Sequence, residues 1–260
     1  MKNIVLFDMD GTLTPARQPM DRPVTDKLIQ LQRAGFEIGI VTGSDLEYVK
    51  EQCQDLFGQI TLDVESIHFM PCNGTKYYRF HNANFHSVYE KNMREEIGES
   101  NWKRLVRIIT NLQLSLINAN RHLPITGHFI NYRGSTLNWC PIGRQASPAD
   151  RSSWVLWDKH GWIRNKWLKA AREEFDSSGL KNVVIKMGGD TSFDIYPKGW
   201  DKTYAFKNFE AYDKIYFVGD RCGPNGNDKE AYELAGDLGF ETTCPRQTID
   251  IIDQIITEDK

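Results

Sequence analysis

Two aspartates, Asp8 and Asp10, sit in the string Asp8-Met9-Asp10-Gly11-Thr12-Leu13-Thr14, directly after the apolar run Ile4-Val5-Leu6-Phe7. That run is continuous, β-branched and aromatic, the pattern of a buried strand. Ligands of open α/β sheets gather where such strands end. If strand geometry continues to residue 10, the two carboxylates share a face. Like charges that close repel, and a cation or a proton must compensate. An oxygen-bound divalent ion would relieve the repulsion and neutralise an incoming phosphate. Asp8 could then attack phosphorus while Asp10 trades a proton with the departing or arriving oxygen. A simple Asx-rich turn with Gly11 at positive φ would explain the string without chemistry. The other motifs of the chain must decide between the two.

Three more places offer matching chemistry. Thr42-Gly43-Ser44 follows a second apolar run, Phe36 to Val41, and opens Ser44-Asp45-Leu46-Glu47, a capping-box pattern. A helix N-terminus there would serve a cap and a phosphate equally well. Lys202 ends Gly199-Trp200-Asp201-Lys202 and supplies a cation; alone it would read as a surface lysine. Gly219-Asp220 follows a third apolar run, Ile215 to Val218, and leads to Gly226-Asn227-Asp228. Each has a bland reading by itself, but four coincident matches in one order make chance a poor explanation.

These residues need a scaffold that brings both chain ends together. After the first strand, Val24, Leu28 and Leu31 recur at helical spacing up to Gly35, then comes the strand Phe36 to Val41. Leu46, Val49, Cys53 and Leu56 predict a second helix. This strand-helix alternation implies a parallel sheet flanked by helices. The end of the chain resumes it: strand Ile215 to Val218, a helix from about Asp228, a strand candidate Phe240 to Thr243, and a helix through Ile249, Ile252 and Ile256. The middle differs. Helical stripes (Trp102, Leu105, Val106, Ile109, Leu112; then Ile163, Trp167, Ala170, Phe175) lie among strand candidates Ile125 to Asn131, Ser135 to Cys140, Val183 to Lys186 and Ser192 to Tyr196. That mixture predicts an α+β module with an antiparallel sheet. The fold expected is an α/β, Rossmann-like core with a parallel sheet, covering residues 1–81 and 187–260, interrupted by an inserted α+β cap at 82–186.

Composition narrows the classes. A net charge of -3 provides no global basic field for nucleic acid or an anionic membrane. No apolar run approaches the roughly 20 residues of a membrane span, and the first run is too short for a signal-peptide core. Five cysteines, an odd number without a CxxC pair, read as reduced thiols of a cytoplasmic protein. The six histidines form no HxxxH or HxH pair, so none is a metal-ligand candidate. The stretch Trp154 to Trp167 reads as cap core or a dimer surface.

The string from Asp8 to Thr14 is the signature of the haloacid dehalogenase superfamily, and the three other places resemble its second, third and fourth motifs. Closer resemblance lies between them. Asp8 to Arg17, Ile38 to Asp45, Pro141-Ile142-Gly143-Arg144, Ser192 to Lys202, and Gly219-Asp220 with Gly226 to Glu230 resemble eukaryotic-type phosphomannomutases. The likeness covers nearly the whole chain and is densest from Phe129 to Glu230.

It implies Asp8 as nucleophile, Asp10 as acid/base and Lys202 as the cation beside the aspartyl-phosphate. It further implies Mg²⁺ held by Asp8, Asp10 and Asp220, and substrate held by Arg17, Ser44, Arg133, Asn138, Arg144, Arg151, Ser192 and Asp194. The reaction implied interconverts mannose 6-phosphate and mannose 1-phosphate through a hexose 1,6-bisphosphate, which also serves as activator, with glucose phosphates as alternative substrates. Arginine suits such a role because its planar fork grips phosphate through two charged hydrogen bonds. A cytoplasmic homodimer formed through the cap is also implied, with a hexose phosphate as its small-molecule partner. A sugar phosphatase would share the nucleophile, and a non-catalytic sugar-phosphate binder is the weaker third reading. Two departures stand out: Val41-Thr42-Gly43-Ser44 replaces the family's Gly-Gly-Ser turn, and Leu234 and Asp237 stand where the family places a second, structural cation site. That second site is not carried over.

Overall fold

Asn3–Phe7 (β1) is buried along its whole length, because both of its faces are covered. Val5 and Phe7 face a cluster with Leu28, Leu31, Ile251 and Ile255. Ile4 and Leu6 face the other side, against Phe206, Phe209 and Ala231. Two-sided burial explains the unbroken apolar run, which is the mark of a central parallel strand. The computed structural model describes residues 2–259. It divides into two units, one from the chain up to Glu90 and from Gly199 on, the other Lys91–Lys198.

Along the chain, β1 leads to α1 (Arg22–Arg33), β2 (Phe36–Val41), α2 (Leu46–Gln52), α3 (Gln54–Phe57), β3 (His68–Met70), β4 (Lys76–His81) and β5 (Asn84–Glu90). The second unit contributes α4 (Met93–Ile97), α5 (Glu99–Ala119), β6 (Ile130–Tyr132), β7 (Leu137–Trp139), α6 (Pro148–Gly161), α7 (Ile163–Ser177), β8 (Val183–Gly188) and β9 (Ser192–Pro197). The first unit then closes with a 3₁₀ segment Lys202–Phe209, β10 (Lys214–Gly219), α8 (Lys229–Ala235), β11 (Gly239–Glu241) and α9 (Pro245–Glu258).

The first unit holds a seven-stranded sheet in the order β11-β10-β1-β2-β3-β4-β5. Its first five members pair in parallel, and β3, β4 and β5 pair antiparallel. β1 lies between β2 and β10, so the connections leave it in opposite directions. Such a switch point opens a crevice at the carboxyl ends of the strands. The second unit holds the antiparallel sheet β6-β7-β9-β8. Buried side chains of α5 (Leu105, Ile109, Leu112, Leu116) and α7 (Trp167, Leu168, Ala171, Phe175) line one side of each helix. Trp139 on β7 stacks on Phe193 at 4.8 Å and donates from its indole to Gln113 Oε1 at 2.6 Å.

Several expectations move. The division falls at Glu90/Lys91 and Lys198/Gly199 rather than at 81/82 and 186/187. β5 belongs to the core sheet through its hairpin with β4, and β9 is held in the antiparallel sheet by β7 and β8. The second helix breaks at Cys53 into α2 and α3. Its cap is Asp45, whose side chain accepts from the Tyr48 amide, in place of the expected Ser44. The stretch Trp154 to Trp167 splits between α6 and α7 at Trp162, which takes a left-handed φ of 52°. Trp154 is buried, while Trp157 and Trp162 are exposed.

His68 on β3 shows how charge is kept out of this core. It is 5% exposed and packs against the rings of Tyr77 and Phe209. Its ring nitrogens contact Tyr77 Oη and Glu37 Oε2, each at 2.7 Å. Burial, assisted by the Arg79 guanidinium, lowers its pKa to about 4 despite the pull of Glu37. The neutral ring is therefore the folded form, and the unfolded chain takes up the proton first as pH falls. His68 thus contributes stability that is full above pH 6.5 and is lost as pH falls toward 4, about 3 kcal/mol in all. Urea unfolding at several pH values should show His68→Gln losing that part of the acid-side slope. An unchanged slope would assign it to other groups.

Candidate active site

The parity of β1 sets the position of Asp8. Ile4 and Leu6 face the side covered by the 3₁₀ segment Lys202–Phe209 and by α8, and Asp8 continues that face. Its amide donates to Val218 O at 2.9 Å, so the strand pairing extends through it. The sheet order puts the loops after β1, β2 and β10 side by side. Lys202 starts the 3₁₀ segment and Asp228 is the N-cap residue of α8. The residues that meet Asp8 are therefore those carried on its own face of the sheet.

Lys202 is 1% exposed and bonds both Asp8 Oδ1 and Asp228 Oδ1. Asp8, Asp220 and Asp228 offer oxygens that all lie within 4.8 Å of one another. Two glycines make this crowding feasible. A Cβ on Gly11, which has a φ of +86°, would lie 2.3 Å from Asp220 Oδ2, and one on Gly219 would lie 2.7 Å from Asp228 Cγ. Burial and the Asp228 charge push the Asp8 carboxyl well above the usual range, against the pull of Lys202. The same two causes, burial first, push Asp220 up to about 6. Burial works against the Lys202 ammonium, but Asp228 and Asp8 outweigh it and raise its pKa. Lys202 is a fixed cation, and the carboxylates stand under mutual repulsion.

The donor set fits a hard divalent cation. It is all oxygen, it carries more negative charge than Lys202 alone balances, and the Arg221 guanidinium lies 3.6 Å from Asp220 Oδ2 while its amide donates to Asp228 Oδ2 at 2.9 Å. Asp220 Oδ1 is buried without a hydrogen-bond partner, as expected of an atom whose partner is an ion. Asp8, Asp220 and Asp228 are the residues that could hold it. Asp228 takes the place expected for the side chain of Asp10. Strand pairing goes no further than Asp8, and a turn then closes with the amides of Leu13 and Thr14 both donating to Met9 O at 2.9 Å. Asp10 is thereby turned aside: its Oδ1 accepts from Tyr48 Oη at 2.7 Å and from the Arg17 amide at 3.1 Å. Tyr48 was not anticipated, because helical spacing shows which side chains face inward but not where a hydroxyl ends. Its phenol pKa is raised by burial, then by the charge of Asp10.

Of the other core candidates, Arg17 is exposed with a left-handed φ of 61°, which turns its amide toward Asp10 Oδ1. Ser44 is half-buried, with its amide donating to Thr42 Oγ1 at 3.1 Å and its carbonyl accepting from Cys72 N at 2.8 Å. Those bonds fix the turn after β2.

The cap candidates form their own cluster on the antiparallel sheet. Asn138 on β7 donates to Ser192 Oγ at 3.0 Å and Asp194 Oδ1 at 2.7 Å on the paired β9. Arg133 lies 3.7 Å from Asp194, and Arg144 reaches Asn138 Oδ1 at 3.4 Å. Arg151 behaves differently. Its guanidinium donates to Ala146 O, Thr191 Oγ1 and Arg144 O at 3.1, 3.0 and 2.9 Å. It fastens the loop carrying Arg144.

A family model described as eukaryotic phosphomannomutase matches residues 24–258. The chain belongs to the eukaryotic phosphomannomutase family. It is 35% identical to a phosphomannomutase of Dendrobium officinale over 249 residues, 94% of this chain and 90% of that protein. It is 33% identical to human phosphomannomutase 1 over 248 residues, 95% and 89% of the two chains. Among solved structures, an IMP-nucleotidase of Plasmodium falciparum superposes with a TM-score of 0.70 at 14% identity, covering 98% of this chain and 70% of that one. The C-terminal domain of a C. albicans trehalose-6-phosphate phosphatase gives 0.61 at 14% identity, covering 98% and 92%. At that identity the two structures show a shared fold.

The geometry separates the roles of two acids in this phosphomannomutase-family chain. Asp228→Asn should weaken Mg²⁺ binding at least about tenfold in a calorimetric titration, while Asp10→Asn should leave it within about twofold. The reverse order would put the Asp10 carboxylate back among the ligands.

Proposed function

We propose that this chain is a phosphomannomutase that uses Asp8 as its phosphoryl acceptor. The observation that carries the reading is the buried Asp8 carboxylate held against Lys202 and beside two further carboxylates. It occurs in a chain alignable almost end to end with proteins named phosphomannomutase.

In this reading Asp8 attacks the phosphorus of a hexose phosphate, forming an aspartyl-phosphate as the ester bond to the sugar oxygen breaks. Asp10 gives that oxygen a proton, then takes one from the hydroxyl that receives the phosphoryl group back. Lys202 is charged at every working pH and holds the anionic oxygens through both transfers. Mg²⁺ held by Asp8, Asp220 and Asp228 would supply charge neutralisation to the transferring group.

A mutase handles a hexose 1,6-bisphosphate and needs recognition for a phosphate that is not reacting. Arg133 and Arg144, with Asn138, Ser192 and Asp194, are the groups proposed for that recognition, and Arg151 supports them through the Arg144 carbonyl. The clustering of two arginines with sugar-matching polar groups favours return of the phosphoryl group to sugar over its loss to water. Mannose phosphates are the substrates by kinship with the named relatives, with glucose phosphates as alternatives. A cytoplasmic homodimer joined through the cap completes the proposal.

Phosphorus NMR tests it directly. With mannose 1-phosphate, Mg²⁺ and a trace of glucose 1,6-bisphosphate, the mutase yields the 6-phosphate; a phosphatase yields inorganic phosphate alone. Asp8→Asn should abolish both products. Arg144→Met should raise the share of inorganic phosphate about tenfold as the non-reacting phosphate loses a charged hydrogen-bond partner.

A further inference from the structure

The contact between Tyr48 and Asp10 points beyond the family's four motifs. We propose that Tyr48 is the positioning residue that presents the Asp10 carboxylate to the sugar oxygen; the inference rests on the acid/base role of Asp10 proposed above. A carboxylate turns about a broad, roughly two-fold torsion, so the backbone of residue 10 does not choose which edge faces the reaction. Two donors make that choice here. Tyr48 Oη at 2.7 Å and the Arg17 amide at 3.1 Å converge on one oxygen, Oδ1. With Oδ1 held twice, proton exchange falls to Oδ2.

Both donors are themselves fixed. Tyr48 is the third residue of α2, and its amide is held at 3.1 Å by the Asp45 side chain that caps the helix. Its ring packs against the main core cluster, which also contains Met9 and Val49. Arg17 turns back toward Asp10 with a left-handed φ of 61°. The arrangement ties the loop after β1 to the helix after β2, which also fixes the turn containing Ser44. A general acid must sit within about 2.6–3.2 Å of its oxygen, and a misplacement of about 1 Å can cost on the order of a hundredfold in rate. The alternative is that Tyr48 is a core tyrosine whose hydroxyl has found the nearest acceptor.

The nature of the leaving group distinguishes them. Phosphorylation of Asp8 by mannose 1-phosphate requires a proton for the departing sugar oxygen, whereas p-nitrophenyl phosphate releases a stable phenolate and needs none. Tyr48→Phe should therefore lower kcat with mannose 1-phosphate about 30-fold at nearly constant KM. The pre-steady-state burst of p-nitrophenolate should stay within about twofold of the wild type, since no acid acts in it. Asp10→Asn is the reference and should show the same split more strongly. If Tyr48→Phe slows both substrates alike, or neither, the positioning role is overturned while the Asp10 split leaves the proposed function standing. If Asp10→Asn itself shows no split, the acid assignment fails and the inference fails with it.

Discussion

A single buried ammonium organises the carboxylate cluster of the first unit. Lys202 has no access to water and is bonded to two carboxylates from opposite ends of the chain. Breaking a buried pair of this kind by removing one partner costs about 3–5 kcal/mol. The two bonds exist only when β1, the 3₁₀ segment and α8 are all in place, so the site and the packing of that face of the sheet form together. Gly11 and Gly219 belong to the same constraint, since a methyl group at either would drive the acidic side chains apart.

The arrangement also explains why the carboxylates are not relaxed by protein groups alone. Lys202 satisfies Asp8 and Asp228, while Asp220 keeps one oxygen buried and unbonded. Folding brings these charges together at an energetic cost that a bound cation would offset. Fixed charges that need no rearrangement at the moment of reaction are what electrostatic catalysis requires. The cap cluster follows a different logic, with paired strands setting Asn138 opposite Asp194 and a loop arginine braced by Arg151.

How much of this could be read from the residues depended on how local the signal was. The central strands are legible because two-sided burial writes itself as unbroken apolar runs. Asp8, Lys202 and Asp220 are adjacent to such runs or to recognisable strings, so their meeting could be inferred from the order of the strands. Asp10 shows the limit. Its place depended on the strand continuing two residues further, and the turn at Met9 to Thr14 removed it from the shared face. Asp228 lay in view within Gly226-Asn227-Asp228, but only the start of α8 brings it under Lys202. The antiparallel edge β4–β5 was missed, and with it the division at Glu90, because its half-exposed residues show no continuous run. Arg151 shares its residue type with Arg144, and nothing in the string tells which of the two holds the loop that carries the other.

The place of β1 between β2 and β10 has a consequence for synthesis. A ribosome delivers β1 and β2 early, but the strand that covers the other edge of β1 begins only at Lys214. Throughout the making of the whole second unit, one of the most apolar strands in the chain has an open row of backbone donors and acceptors. An uncovered strand edge is a template for pairing with another chain. The inserted unit therefore also lengthens the time for which the nascent protein must be kept from its neighbours.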